Sequence, residues 1–347
     1  MGEALLIVNP KSGVDGHKDF VVGSAVALSE KRGLRLDIEY TKGPGDARRL
    51  ASEAAREGRR CVVVAGGDGT IRDAADGVWG SDTALGIVPL GSGNGLARSM
   101  SVSQMAEKAI EIAFGDNFAT IDRGAANSMN FYSAFGVGFD AEVSYRFSLD
   151  KRRGRTTYIK HALREIFSYQ PRRFRIEIGQ SVIETEAMLV AVCNCPQYGN
   201  NAYIAPKADP ADGILDITVI HSGNFFATMI AGIDLFSGTL DRNVLVENFR
   251  ASAVKLCEEG APRKIITHLD GEPTEMSGRI DIECDPRGLK VAVPKDIQPF
   301  KPFFTPVKSM VDDMILDIRK KIHSSAPQQK AEPAREETRQ KQKKKEI

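Results

Sequence analysis

Over the first 120 residues, short apolar runs alternate with stretches whose apolar residues recur every three to four positions. Ala4-Leu5-Leu6-Ile7-Val8 reads as a buried strand ending at Asn9-Pro10-Lys11-Ser12-Gly13, followed by a helix from about His17 to Lys31. A strand Leu34–Tyr40 ends at Thr41, and a second helix spans about Asp46 to Glu57. Cys61-Val62-Val63-Val64-Ala65 is apolar throughout and rich in β-branched residues, the pattern of a strand buried on both faces. The chain then turns at Gly66-Gly67-Asp68-Gly69-Thr70, and a helix resumes at Ile71-Arg72-Asp73-Ala74-Ala75. A further strand, Ala84–Val88, runs into Pro89-Leu90-Gly91-Ser92-Gly93-Asn94-Gly95. Such alternation predicts a mostly parallel sheet with helices on both faces, whose ligands sit beyond the carboxyl ends of the strands. Each polar turn lies at such an end.

The rhythm changes after Ile121-Asp122-Arg123-Gly124. Extended segments dominate: Asn130–Gly138, Arg172–Ile178, Ser181–Asn194, Ile214–Ile220 and several between Val244 and Val293. Two helical stretches, about Thr156–Ser168 and Asn224–Leu235, interrupt them. The expectation is an α/β domain over residues 1–121 and a β-rich domain over 122–294. Val307–His323 carries one apolar stripe and is expected to pack back on the body; from Ser324 the charged, apolar-poor tail is expected to be disordered.

At 347 residues there is room for two cores, and a net charge of +1 gives no global field to recruit nucleic acid. Five cysteines form no CxxC pair, and with no leader pattern they point to a reducing, cytoplasmic setting. No apolar run approaches the ~18 residues of a membrane span, so a lipid substrate would have to be reached from the water side.

A glycine-rich turn at a helix start aims several backbone N–H groups at one place and suits phosphates. Asp68 adds a carboxylate that a bare phosphate would repel and a magnesium–nucleotide complex would accept. Lys11 supplies a cation where phosphates would gather, and Gly91-Ser92-Gly93-Asn94 brings a second glycine turn from the next strand. The pattern is neither a Walker P-loop nor a GxGxxG fingerprint. Far downstream, Asp270-Gly271-Glu272 follows the strand Lys264–Leu269. It reads either as a plain hairpin turn or as an acidic turn able to take a proton. The five histidines suggest no triad; His268 reads as a strand side chain.

In Val8-Asn9-Pro10-Lys11-Ser12-Gly13, Gly66-Gly67-Asp68-Gly69-Thr70, Pro89-Leu90-Gly91-Ser92-Gly93-Asn94 and Leu269-Asp270-Gly271-Glu272-Pro273 the chain resembles the diacylglycerol kinase catalytic-domain family, over about residues 4–295. That family includes bacterial lipid kinases and sphingosine kinases. The resemblance implies a C-terminal β-sandwich lipid domain, an active site between the domains, and a return of residues 295–323 to the first domain. It implies ATP held by Asn9, Pro10, Lys11, Ser12, Gly13, Thr41 and Gly66, Gly67, Asp68, Gly69 and Thr70, with Ser92 and Asn94 near the phosphates. Asp270 or Glu272 would be the general base, with Asp68 a third claimant. A structural magnesium would use Asp209, Asp212 and the carbonyl of Ile214, and Asp122 would pair with Lys11.

One departure stands out. Gly95 follows Asn94 where many bacterial members carry an acidic residue, and the Gly91–Asn94 form is closer to sphingosine kinases. Gly66–Thr70 leans toward the bacterial enzymes, so the resemblance leaves both diacylglycerol and a sphingoid base open as substrate. The expected activity is ATP- and Mg2+-dependent phosphorylation of a membrane-lipid hydroxyl, with transient membrane contact and no nucleic-acid partner. Basic runs Lys151–Arg155 and Arg172–Arg175 are candidate anionic-lipid contacts. The rival readings are an NAD-kinase-like enzyme and a catalytically silent lipid or nucleotide sensor.

Overall fold

The computed structural model describes residues 3–13, 17–149, 169–260 and 264–295. The expected helices Thr156–Ser168 and Val307–His323, the basic run Lys151–Arg155, the return of 295–323 and the tail from Ser324 lie outside the described residues, apart from Lys295.

β1 (Ala4–Val8), α1 (His17–Arg32), β2 (Leu36–Tyr40), α2 (Asp46–Arg56), β3 (Cys61–Gly66), α3 (Asp68–Val78) and β4 (Ala84–Pro89) follow the expected alternation. The strands run parallel in the order β2-β1-β3-β4. Every residue of β1, β3 and β4 is buried, as continuous apolar runs require of strands covered on both faces. Helix α2 packs on α3, while α1 packs on α5 (Ala106–Ala113), so each face of the sheet has its own pair. Strand order reverses at β1, which opens the crevice of an α/β sheet between the ends of β1 and β3.

Helix α3 starts at Asp68, three residues earlier than expected. Gly67 is extended and caps it, so Asp68, Gly69 and Thr70 form its first turn rather than a loop before it. Their N–H groups have no intrahelical acceptor and face the crevice end of the sheet.

Beyond α4 (Gly95–Ser99), the chain forms β5 (Phe118–Ala126), β6 (Met129–Phe131), β7 (Ala134–Gly138), α6 (Phe139–Leu149), β8 (Arg172–Ile178), β9 (Ser181–Ala187), β10 (Leu189–Cys193) and β11 (Leu215–Ile220). It ends with α7 (Phe225–Ser237), β12 (Val246–Ala251), β13 (Ala253–Glu258), β14 (Ile265–Leu269), β15 (Glu272–Met276) and β16 (Arg279–Ala292). Strands β12-β11-β10-β7-β14-β15 make an antiparallel sheet. It packs through Phe135, Val137, Val190, Val192 and Ile217 on Phe131, Phe174, Ile176, Ile280 and Ile282 of the other sheet. The result is a mixed α/β fold with a helix-flanked N-terminal sheet and a C-terminal β-sandwich, as the sequence and its resemblance led us to expect.

Three features were not anticipated. Asp122 lies inside β5, not between segments. Helix α6 has apolar residues scattered around its circumference and so shows no stripe to read. Strand β16 pairs antiparallel with β13 and β5, then reaches β4 at Val291–Leu85, with a bulge between Asp285 and Leu289. One strand therefore belongs to both halves of the molecule.

Candidate active site

The ends of β1 and β3 are tied by side chains. Asn9 donates from Nδ2 to Thr70 Oγ1 (2.8 Å), and its Oδ1 accepts the Lys11 N–H (2.9 Å). Thr41 N–H reaches the Val8 carbonyl (3.0 Å), which sets the end of β2 beside Asn9. Pro10, Lys11 and Gly13 are exposed and Ser12 half-buried, leaving this turn open to a ligand. The second glycine turn closes against the first. A Cβ on Gly91 would lie 2.9 Å from Gly67 Cα, so only glycine allows the two backbones to meet. Ser92 stands exposed at the tip of that turn.

Asp68 fastens this junction: Oδ2 accepts Asn94 N–H (2.9 Å) and Oδ1 accepts Gly95 N–H (2.8 Å). Asn94 holds the left-handed conformation (φ 54) and donates from Nδ2 to the Gly91 carbonyl and Gln104 Oε1, both at 2.9 Å. Burial first, and then the nearby carboxylates of Asp270 and Glu272, push the Asp68 carboxyl up to about 6.

Across the crevice, Asp270 and Gly271 both have positive φ (52 and 80) and make the two-residue loop of the β14–β15 hairpin. The plain-hairpin reading is correct for the backbone, yet the carboxylate has other work. Asp270 Oδ1 accepts N–H groups of Tyr132 (3.2 Å), Ser133 (2.7 Å) and Ala134 (3.1 Å), while Oδ2 accepts only Tyr132 N–H, at 3.1 Å. Burial raises the Asp270 carboxyl above the usual range, while Arg72 and these amides pull it back. Glu272 Oε2 pairs with Arg72 Nη2 (2.7 Å), and Arg72 Nη1 donates to the Leu269 carbonyl (2.9 Å). A Cβ on Gly69 would lie 1.9 Å from Glu272 Oε1, so the two acidic turns are in van der Waals contact.

Between them lies a cavity of about 10 Å3 lined by Asp68, Ile71, Arg72, Leu96, Tyr132, Ser133 and Asp270. It has room for about one water molecule or one hydroxyl group.

Comparison with known proteins gives this geometry a family. Residues 3–126 match the diacylglycerol kinase catalytic domain and residues 133–293 the YegS C-terminal NAD kinase beta sandwich-like domain. The chain belongs to the YegS- and diacylglycerol-kinase-like lipid kinases. It is 28% identical over 303 residues to an Escherichia coli (strain 536) protein named "Probable lipid kinase YegS", covering 84% of this chain and 96% of that one. A Shigella flexneri protein of the same name matches to the same extent. The crystal structure of a Bacillus anthracis protein assigned as a diacylglycerol kinase superposes with TM-score 0.71 at 26% identity, over 85% of this chain and 96% of that one. Membership makes the chain a kinase, with ATP as co-substrate.

Like the acidic turns, the rest of the site is drawn together from distant segments. Tyr198 OH donates to Asp140 Oδ2 (2.5 Å), which also bonds His268 Nε2 (3.0 Å). Gly271 N–H approaches His268 Nδ1 (3.4 Å), the ring nitrogen that does not face Asp140. Asp140 and His268 are buried, and a Cβ on Gly136 would sit 2.3 Å from both. The Tyr198 loop in turn reaches the second glycine turn through Asn200 N–H to the Gly93 carbonyl (3.2 Å). Asn194 is fully buried and donates to the Asp122 and Tyr132 carbonyls (both 2.9 Å).

Gly95 now has a structural reason. A Cβ there would lie 2.8 Å from the Tyr198 carbonyl and 3.2 Å from Ser133 Oγ, so the acidic residue of other members has no room.

The pairing of Asp122 with Lys11 is corrected. Asp122 is fully buried; Oδ2 accepts Gly213 N–H and Oδ1 accepts Arg287 N–H, both at 2.7 Å. The structure instead gathers Asp122 with the Asp209–Ile214 turn. There Asp209 Oδ1 accepts Ala211 N–H (3.0 Å), Asp212 Oδ1 accepts Ile214 N–H (3.0 Å), and Asp212 Oδ2 pairs with Arg250. No group of three His, Cys, Asp or Glu side chains able to hold a metal occurs among the described residues.

Sequence reasoning missed Arg72, Tyr132 and Ser133. Arg72 sits one turn past Asp68 on α3, a position legible once that helix start is known. Ser133 has a buried Oγ without a hydrogen-bond partner, facing the cavity, and nothing in its neighbours signals this.

Proposed function

We propose that the protein transfers the γ-phosphoryl group of ATP to the hydroxyl of a diacylglycerol-type membrane lipid. The observation that carries this reading is the shared cavity: acidic turns from the N-terminal sheet and from the β14–β15 hairpin enclose a space fit for one hydroxyl. Similarity to proteins named as diacylglycerol and lipid kinases supports the choice of acceptor. In this reading residues 1–121 carry the nucleotide and 122–294 the lipid.

The nucleotide lies along Asn9–Gly13, Thr41 and Gly66–Thr70, its phosphates on the free N–H groups of the α3 first turn, with Ser92, Asn94 and Lys11 around them. Asp270 is the base. Three amides fix one of its oxygens, leaving the other less encumbered toward the cavity on the acceptor side. It takes the acceptor proton as the new P–O bond forms and the bond to the leaving ADP oxygen breaks. Ser133 Oγ orients the acceptor. Arg72, held by Glu272 and the Leu269 carbonyl, fixes the hairpin against α3, and its charge opposes the upward push of burial on the Asp270 carboxyl.

Three carboxylates around one guanidinium leave an excess of negative charge, which adds to burial in raising Asp68. Mg2+ held by Asp68 fits that imbalance and supplies charge neutralisation to the phosphates. At the Asp209, Asp212, Ile214 turn Arg250 already supplies the positive charge, pairing with Asp212 and Asp216, so no structural cation is assigned there.

The test is phosphate transfer from labelled ATP to a detergent-dispersed panel of diacylglycerol, sphingoid base, ceramide and NAD. Labelled diacylglycerol product, lost in D270N, is the expected result. Labelled NAD alone, or no product from any acceptor, rejects the proposal.

A further inference from the structure

Helix α7 is amphipathic in the wrong sense for a water-facing helix. Its inward side buries Asp234 and Ser237, with Asn243 Nδ2 donating to Asp234 Oδ2 (2.7 Å) and Thr239 Oγ1 to Asp234 Oδ1 (3.3 Å). Its outward side exposes Phe225 (57%), Phe226 (68%), Met229 (49%) and Ile233 (45%), and Val244 (61%) is exposed in the segment that follows. Asp234 is the one charged residue in the whole helix, and it is buried. Apolar outside and polar inside is the reverse of what water selects.

We propose that this outer stripe of α7 is a bilayer-docking face, which inserts Phe226, Met229 and Ile233 at the boundary between headgroups and acyl chains. The proposal rests on the lipid-kinase reading above, because an acceptor held in a bilayer obliges the enzyme to sit on one.

Two observations favour this occupant. The stripe is continuous with the site: α7 lies on the outer face of the antiparallel sheet, and its Leu235 carbonyl accepts Tyr203 N–H (2.8 Å). Tyr203 belongs to the loop whose Tyr198 reaches Asp140 and whose Asn200 reaches Gly93. Docking through α7 thus places the bilayer on the sheet face that the Tyr198 loop also covers. Size is the second. The exposed side chains amount to roughly 500 Å2, which lies within the range of functional patches on monomers but below the ~800 Å2 per partner of a stable protein interface. The basic segment of β8 is a poor substitute, since Arg172 pairs with Glu258 and Arg175 with Glu177 and Glu184.

The test compares the full-length protein with F226S/M229S/I233S by co-sedimentation with phosphatidylcholine vesicles, with and without phosphatidylglycerol, at low and high salt. The triple variant should lose roughly tenfold or more of its vesicle partition in every lipid and salt condition. Its melting temperature and its activity on detergent-dispersed diacylglycerol should stay the same. A full-length F226W protein should shift the emission of its introduced indole to the blue on vesicles, with quenching by acyl-brominated lipid. Unchanged partition of the triple variant overturns the proposal. So does a wild-type dimer that the triple variant dissociates, which would put a second copy on the stripe. So does F226W emission already blue and shielded from iodide without lipid, which would mean that another part of the chain covers the stripe. Vesicle partition needs no turnover: an F226W protein that inserts its indole yet phosphorylates no lipid in detergent upholds the docking face while the kinase reading falls.

Discussion

Asp68 and Asp270 face the same small cavity, yet they are secured by different means. Asp68 stands on the first turn of a helix and draws two amides from the neighbouring glycine turn of its own sheet. Asp270 sits on a left-handed hairpin residue and draws three amides from Tyr132, Ser133 and Ala134 at the start of β7. Burial raises both carboxyls, but Arg72 offsets it at Asp270, whereas at Asp68 the other acidic side chains add to it. At the first carboxylate amides lead the forces that offset burial; at the second a guanidinium leads them.

The sharpest way to break this contrast is D270N, which should lower turnover by about 1,000-fold while ATP binding, followed by a fluorescent nucleotide, stays within a few-fold. A D270N protein that turns over normally would move the base to Asp68 or Glu272. D68N comes next. The folded pKa of Asp68 lies above the usual carboxylate value, so the charged form is the disfavoured one in the fold, fully so above about pH 6 and not at all below the usual carboxylate range. Wild type should therefore lose stability as the pH rises through about 6, and D68N, whose amide does not titrate, should lack that loss. Activity should run the other way: wild-type turnover falls as the pH drops through about 6, and D68N is weak throughout. Calorimetry and a pH–rate profile check the two halves.

E272Q releases one hold on Arg72 and should cost about tenfold in turnover with little change in the apparent affinity for ATP; a change in ATP affinity alone would place Arg72 on the nucleotide side. S133A should be the mildest, a few-fold rise in the apparent Km for lipid, because it removes one neutral hydrogen bond.

The same contrast explains what could be read from the chain. Asp68 was legible because everything it needs is local in sequence or repeats a visible pattern: a β-branched strand, a glycine turn, a helix, and a second glycine turn from the next strand. Its helix start was misplaced because Gly67 and Gly69 look like loop residues, though an extended Gly67 lets α3 begin at once. Asp270 was legible as a turn, and its role only through resemblance. The amides that hold it come from a segment more than a hundred residues earlier, and backbone donors leave no mark on side-chain identity. Asp140 and His268 were unreadable for a related reason. Their contact depends on Gly136 in β7, whose missing side chain makes the space. Asp122 was assigned to the wrong neighbours because a strand interior gives no clue to which turn will cross it.

Strand β16 sets a limit on how this enzyme can move. Because one continuous ribbon serves the sandwich and the N-terminal sheet, the halves cannot swivel on a slack tether. Any closing stroke has to flex at the irregular stretch between Asp285 and Leu289, where Trp79 lies against Gly288 and Arg123 grips Asp285. Domain motion here should be short in reach and springy, more like a bent beam than a door.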